Sequence, residues 1–505
     1  MAKFIKLNPT ELKQLRTVNP CLMSYNVEMT EVTGGTFWKA YTPGQIAGTE
    51  KFPPIKGFHE MAGLMQWYDP IDTTNPRLLK LAKEFGPVWV RVSGTWATKT
   101  YYDFEGKGEA PEGWQNRLTK EQWLRLLDFV DAVGGRLLIS VANCQGLHSA
   151  EEPWNPSQAE KIFALSKEHG HPIDAVEFTN EPNMMEITGF PAGYKPEHFR
   201  RDQDLFHKWV RENYPDCLIV GPCTTDSSAI KMGPGAKDDA KGGAGIADAL
   251  GTCATTDDLM VGCTEKLDVF SYHYYNGISE RLEAVMPDAH WQAEKAHTEE
   301  YLAMAGRCAR AFAPFRDKYC PGGEMWVTES GDAGGGGDTW ASTYLDVLRT
   351  LNELGDFATV TDGVIFHNTL ASSDYGFLHH GTFEPRPNYF AVLLWNTLMG
   401  TTVYDSAEPI REGAHVFAHS RHDGKEGVTY LVINNSLTDV TTVELPKDAI
   451  RYTLAGRDGL RSRVMTLNGR DLVLGENDEL PCLCGEAIAA GTVELAPGTC
   501  TFFVI

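Results

Sequence analysis

The sequence predicts a (β/α)8 barrel followed by a β-sandwich, and three observations carry that reading. Eight short β-rich runs lie between residues 18 and 400, with amphipathic helical stretches between most of them. After Gly400 the pattern changes to short alternating strands divided by turn signals such as DG, NN and PG. With 505 residues, of which 42% are hydrophobic and 22% charged, the chain has ample material for a core and an ordinary globular balance.

The elements follow in order. Residues 1–17 form an N-terminal segment whose run 3–8 (KFIKLN) is expected to add a strand to the sandwich. The barrel, 18–400, takes its strands from 20–28, 87–94, 136–143, 174–180, 217–222, 267–275, 324–329 and 362–369. Helical periodicity falls at 75–85, 120–134, 157–169, 196–213, 290–318 and 340–355. The insertion 29–74, rich in Pro and Gly signals, reads as a loop over the barrel mouth. The sandwich, 401–505, takes 414–420, 427–434, 440–445, 464–468, 471–474 and 492–505.

Charge and cysteine usage narrow the partners. The 45 Lys+Arg against 68 Asp+Glu give a net charge of −23, which disfavours nucleic acid, anionic membranes and polysulfated glycans. No apolar leader opens MAKFIKLNPTELKQL, and no run approaches the length of a membrane span. The eleven cysteines cannot all pair, so a reducing cytoplasm is the expected setting. Cys482 and Cys484 lack a second pair at zinc spacing and read as strand residues. Residues 242–251 lack GxGxxG, and His379-His380 lacks a neighbouring ligand, so neither cofactor nor metal is expected.

Barrel enzymes carry their chemistry at the C-terminal ends of the strands. Strand four ends in Asn180-Glu181-Pro182-Asn183 and strand seven in Thr328-Glu329-Ser330. Two carboxylates three strands apart face one another across the mouth, as retaining glycoside hydrolysis needs: one donates a proton and the other attacks. Their surroundings must push their pKa values apart. Asn180 is placed to meet a sugar hydroxyl. On strand six, alternation puts His273 and Tyr275 on one face, where a phenol can donate to Glu329 and hold it ionised. The run Gly334–Gly337 allows backbone N–H groups to approach an anion, or is simply a turn before the next helix.

These motifs resemble glycoside hydrolase family 79, the heparanase and β-glucuronidase family of clan A. The stretches that carry the resemblance are VRVSGT (90–95), VEFTNEPN (176–183), VTESGDAGGGG (327–337), SSDYGFL (372–378) and FEPRPNYFAVLLWNTLMGT (383–401). The resemblance implies that Glu181 is the acid/base, Glu329 the nucleophile and Tyr275 its orienting group. It further implies that Asn180, Asn26, Glu28 and Thr95 contact sugar hydroxyls, and that Gly335, Gly336 and Tyr375 hold a uronic acid carboxylate. Three positions depart from the family pattern. Strand one carries Asn26-Val27-Glu28 where the family has Asp-x-Asn. The strand-eight glutamine position falls on His367 or Asn368. Ser373-Asp374 replaces a glycine before Tyr375. The reading is a carbohydrate-cleaving β-glucuronidase that needs no cofactor. A neutral-sugar glycosidase of the same clan, a transglycosylase and a non-catalytic glycan-binding barrel remain as alternatives.

Overall fold

The computed structural model describes residues 3–225, 230, 232–235 and 253–505. The 242–251 stretch discounted above as a dinucleotide motif lies outside them. Eight parallel strands close into a barrel in chain order: Met23–Glu28, Trp89–Ser93, Arg136–Ser140, Ala175–Glu177, Leu218–Thr224, Val269–Ile278, Glu324–Gly334 and Ile365–His367. The eighth pairs back onto the first through Ile365↔Met23 and His367↔Tyr25.

Period-two alternation sorts each strand between two environments. Val90, Val92, Leu137, Ile139, Val176 and Ile219 face outward and join the large core beneath the helices. Trp89, Leu138, Ala175, Val220, Val269, Trp326 and Phe366 point inward and fill the barrel floor. There Trp89 and Trp326 meet edge to face at 4.9 Å. Two residues further along four of these strands the inward positions turn polar: Arg91, Ser140, Glu177 and Asn368. The barrel is thus apolar at its base and ionisable at its mouth.

Strands six and seven run beyond the barrel wall as a long parallel pair that continues through Ile278↔Gly334. That extension was not expected, because glycines interrupt its side-chain alternation. The helix Pro387–Leu398 was also missed: it is buried on nearly every side, so it has no polar face to give a helical period.

The C-terminal strands form a nine-stranded and a three-stranded sheet. Residues of both, among them Ile5, Val416, Tyr430, Val443 and Phe503, share a second core. Lys3–Lys6 pairs in parallel with Thr441–Leu445, and Gln14–Thr17 pairs with Met399–Tyr404. Of the expected strand 471–474, only Asp471 is paired, as part of Arg470–Asp471. Cys482 and Cys484 are not strand residues but are joined by a disulfide in an irregular segment.

Candidate active site

Arg91 organises the mouth. It is 1% exposed, and its guanidinium is spent on four groups. Nε donates to Glu177 Oε2 at 3.0 Å, Nη1 to Glu329 Oε1 at 3.0 Å and Nη2 to Asn180 Oδ1 at 2.8 Å. Nη2 also lies 3.3 Å from His273 Nε2. A guanidinium only donates, so His273 Nε2 accepts and the ring's proton sits on Nδ1. Nδ1 then donates to Glu181 Oε1 at 2.9 Å.

Two local irregularities aim the glutamates. Glu181 has φ 44°, a left-handed backbone that a non-glycine residue adopts only when its surroundings impose it. It breaks strand alternation, so Asn180 and Glu181 both reach the site. In strand seven, Thr328 is skipped in the ladder, so that Tyr272 pairs with Val327 and His273 with Glu329. Such a bulge re-aims the side chain after it. One carboxylate oxygen each from Glu181 and Glu329 and one nitrogen of His273 lie within 4.8 Å of one another.

The surroundings separate the two carboxyls. Burial pushes Glu181 above the usual carboxylate range, and the charge of Glu329 adds to this against the hydrogen bond from His273. Burial also acts to raise Glu329. Yet His273, through the charge its ring carries when protonated, and Arg91 beside it, with hydrogen bonds from Tyr275 and Arg91, outweigh burial and hold it below the usual range. The Tyr275 hydroxyl donates to Glu329 Oε2 at 2.7 Å. This is the arrangement of a protonated acid facing an ionised nucleophile. Glu181, His273 and Glu329 could also contact a metal ion by spacing. The guanidinium of Arg91 on Glu329 opposes a second cation there.

The sugar-facing candidates divide. Asn26 donates from Nδ2 to Thr328 O and to Asn368 Oδ1, which leaves its buried Oδ1 without a partner among the described residues. Glu28 is buried, and its carboxyl is held well above the usual range by burial, then by the charges of Glu329 and Glu31. Its place is made by Gly94: a Cβ there would stand 1.6 Å from Glu28 Oε2. Thr95 is partly exposed at the end of strand two and makes no hydrogen bond to this cluster. At strand eight the two alternatives separate. Asn368 Nδ2 donates to the hydroxyls of both Tyr275 and Tyr375, at 2.9 and 3.1 Å. His367 instead stacks on Phe377 at 4.0 Å and hydrogen-bonds the Tyr375 carbonyl, and burial lowers its pKa to about 3. It is a neutral packing residue, contrary to its expected place facing the mouth, and of the two alternatives Asn368 is the one that joins the cluster. Alternation could have decided this, since Asn368 shares the inward face with Phe366.

Tyr375 lies beside Tyr275, with ring centroids 6.4 Å apart. Gly335, Gly336 and Gly337 have φ of 95°, 94° and 83°. A Cβ on Gly336 would approach Trp38 to 2.7 Å, and one on Gly337 would approach Tyr375 N to 3.0 Å. The glycine loop is thus pressed between Tyr375 and the 29–74 insertion. Sequence reasoning missed what fastens it. Buried Arg281 donates to Gly335 O and Gly337 O, pairs with Asp374 at 2.7 Å and stacks on the Tyr41 ring at 3.8 Å. Asp374, one of the departures from the family pattern, is the counter-charge of that clamp. Arg91 was missed too, although it lies two residues after inward-facing Trp89.

Comparison with known proteins places this geometry. No family model matches the chain. It is 26% identical over 503 residues to a hyaluronoglucuronidase of Hirudo nipponia, covering 89% of this chain and 94% of that one. It is 23% identical over 459 residues to a baicalin-β-D-glucuronidase of Scutellaria baicalensis, covering 82% and 79%. The chain is related to the family 79 β-glucuronidases over most of its length. A 4-O-α-L-rhamnosyl-β-D-glucuronidase from Fusarium oxysporum shares the fold over 99% of this chain and 100% of its own, with a TM-score of 0.63 at 11% identity.

Proposed function

We propose that this chain is a retaining β-glucuronidase that removes a terminal glucuronic acid by double displacement. One observation carries the reading: a raised Glu181 and a lowered Glu329 with carboxylate oxygens within 4.8 Å. Retaining enzymes hold the two carboxyls about 5–5.5 Å apart, whereas inverting enzymes leave roughly 6.5–9.5 Å for a water. Glu181 protonates the leaving oxygen while Glu329 Oε attacks the anomeric carbon. The bond to the leaving group breaks as the glycosyl ester forms. Glu181, now ionised, takes a proton from water, which attacks the same carbon and releases Glu329. Arg91 and Tyr275 stabilise the carboxylate that leaves. The glycine loop and Tyr375 receive the uronate through amides and a phenol, which suits an acidic protein with an acidic sugar. The names of the two glucuronidase relatives support this choice of sugar.

The test is a panel of 4-nitrophenyl β-glycosides, with the released sugar followed by NMR. Glucuronide should be cleaved in preference to glucoside, xyloside, galactoside and arabinoside, and the β-anomer should appear first. Glu329→Ala should abolish turnover. Glu181→Gln should abolish it on poor leaving groups and spare part of it on dinitrophenyl. Initial release of the α-anomer would overturn the mechanism, and preference for a neutral sugar would overturn the substrate.

A further inference from the structure

We propose that the pocket between the strand-eight loop and the sandwich binds a tetrahedral oxyanion, phosphate or sulfate, free or as the ester end of a sugar. The pocket has a volume of about 390 Å3 and is walled by His379, Glu384 and Arg386 from the barrel and by Arg463 and Leu472 from the sandwich. It lies behind the loop that carries Tyr375, away from the catalytic glutamates. Arg386 is 7% exposed and gives Nη1 to three carbonyl oxygens, those of Ser373, Asp374 and Gly376. Its Nε is buried without a partner.

The charge arrangement is what points to an anion. Buried Arg91, Arg281 and Arg349 each hold a carboxylate at 3.0 Å or closer. Among the described residues Arg386 holds none, and neither does Arg463. Burial lowers the Arg386 pKa to about 10; the charge of Asp374 acts against this, and that of Arg463 adds a smaller lowering. Two guanidiniums therefore repel each other in one pocket of a chain that carries a net charge of −23. Glu384, the only acid in the lining, sits 3.5 Å from Arg77. A neutral His379 offers a further polar edge: burial and then Arg386 lower its pKa. Two guanidinium forks on separate elements fit an anion with three or more oxygens better than a planar carboxylate, which one fork satisfies.

The test is calorimetric titration of the full chain with sodium phosphate, against sodium chloride at matched ionic strength. One saturable site of millimolar or better affinity is expected. Arg463→Gln, at an exposed position, should keep the fold and the turnover of aryl glucuronide. It should weaken phosphate binding about tenfold, the worth of one charge-assisted contact. Arg386→Gln should abolish binding, and if it fails to fold, Arg463→Gln decides. Glucose 6-phosphate titrated alongside distinguishes the sources: tighter binding than inorganic phosphate assigns a sugar ester, and equal or weaker binding assigns the free anion. No saturable heat beyond chloride, or unchanged affinity in Arg463→Gln, overturns the proposal.

Discussion

Replacing Tyr275 by Phe removes one oxygen from the site and little else. That oxygen donates to Glu329 Oε2 at 2.7 Å and receives Asn368 Nδ2 at 2.9 Å. Burial, reinforced by the charge of Glu329, pushes the phenol well above its ordinary pKa, so it is a neutral donor throughout the working range. A hydrogen bond to a charged acceptor is worth about 1.5–3 kcal/mol. At about 1.36 kcal/mol per unit, its loss should raise the nucleophile's pKa by roughly 1–2 units. Arg91 and His273 still hold Glu329, so activity should fall but not vanish. We expect kcat/KM on 4-nitrophenyl β-glucuronide to drop about 10–100-fold at its optimum, the same free energy read as a rate. The acid limb of the kcat/KM profile should move up by those 1–2 units, and the basic limb, governed by Glu181, should stay. Tyr375→Phe is the control: the hydroxyl it removes reaches Glu329 only by way of Asn368 and Tyr275, so it should raise KM and leave the acid limb in place. An acid limb in Tyr275→Phe within about 0.3 unit of wild type would refute the claim that this phenol holds the nucleophile ionised.

Three further outcomes are expected. Gly94→Ala places a methyl 1.6 Å from Glu28 Oε2 at φ 92°, and should lower stability in urea by more than about 1–2 kcal/mol, with loss of turnover. Arg281→Met strands the Asp374 carboxylate and should destabilise by about 3–5 kcal/mol; adding Asp374→Asn should recover part of it in a double-mutant cycle. Burial, with the charge of Asp346, raises Asp332 to about 8, so the folded state keeps a proton that the unfolded chain releases near pH 4. That contribution to stability is fully present below about pH 4 and is lost as pH rises toward 8. Asp332→Asn should therefore lose less of its thermal midpoint between pH 5 and 8 than wild type does.

Much of this was legible in the sequence, for identifiable reasons. The eight barrel strands announced themselves because buried parallel strands are compact apolar runs bounded by turns. Glu181 and Glu329 stood out because polar residues closing such runs need a reason. Asn368 was within reach of the same logic, two residues beyond Phe366 on the inward face. Arg281 and Asp374 were not legible. They are 93 positions apart, on loops with no period, and only the closure of strands six to eight brings them together. The helix Pro387–Leu398 was hidden by the completeness of its burial, which erased the polar stripe that amphipathic reading depends on.

The pairing of Lys3–Lys6 with Thr441–Leu445 has a consequence for how the chain is made. Its partners Lys3 and Thr441 are 438 positions apart. At roughly 5–20 residues per second, the first strand waits on the order of 20–90 seconds on the ribosome before its partner is synthesised. All eight barrel strands are synthesised during that interval, whereas the sandwich core that contains Ile5 and Val443 forms only after them. The sandwich is therefore sealed by a strand made before any strand of the barrel. Deleting residues 3–6 should leave a barrel that folds and a sandwich whose three-stranded sheet has lost one edge.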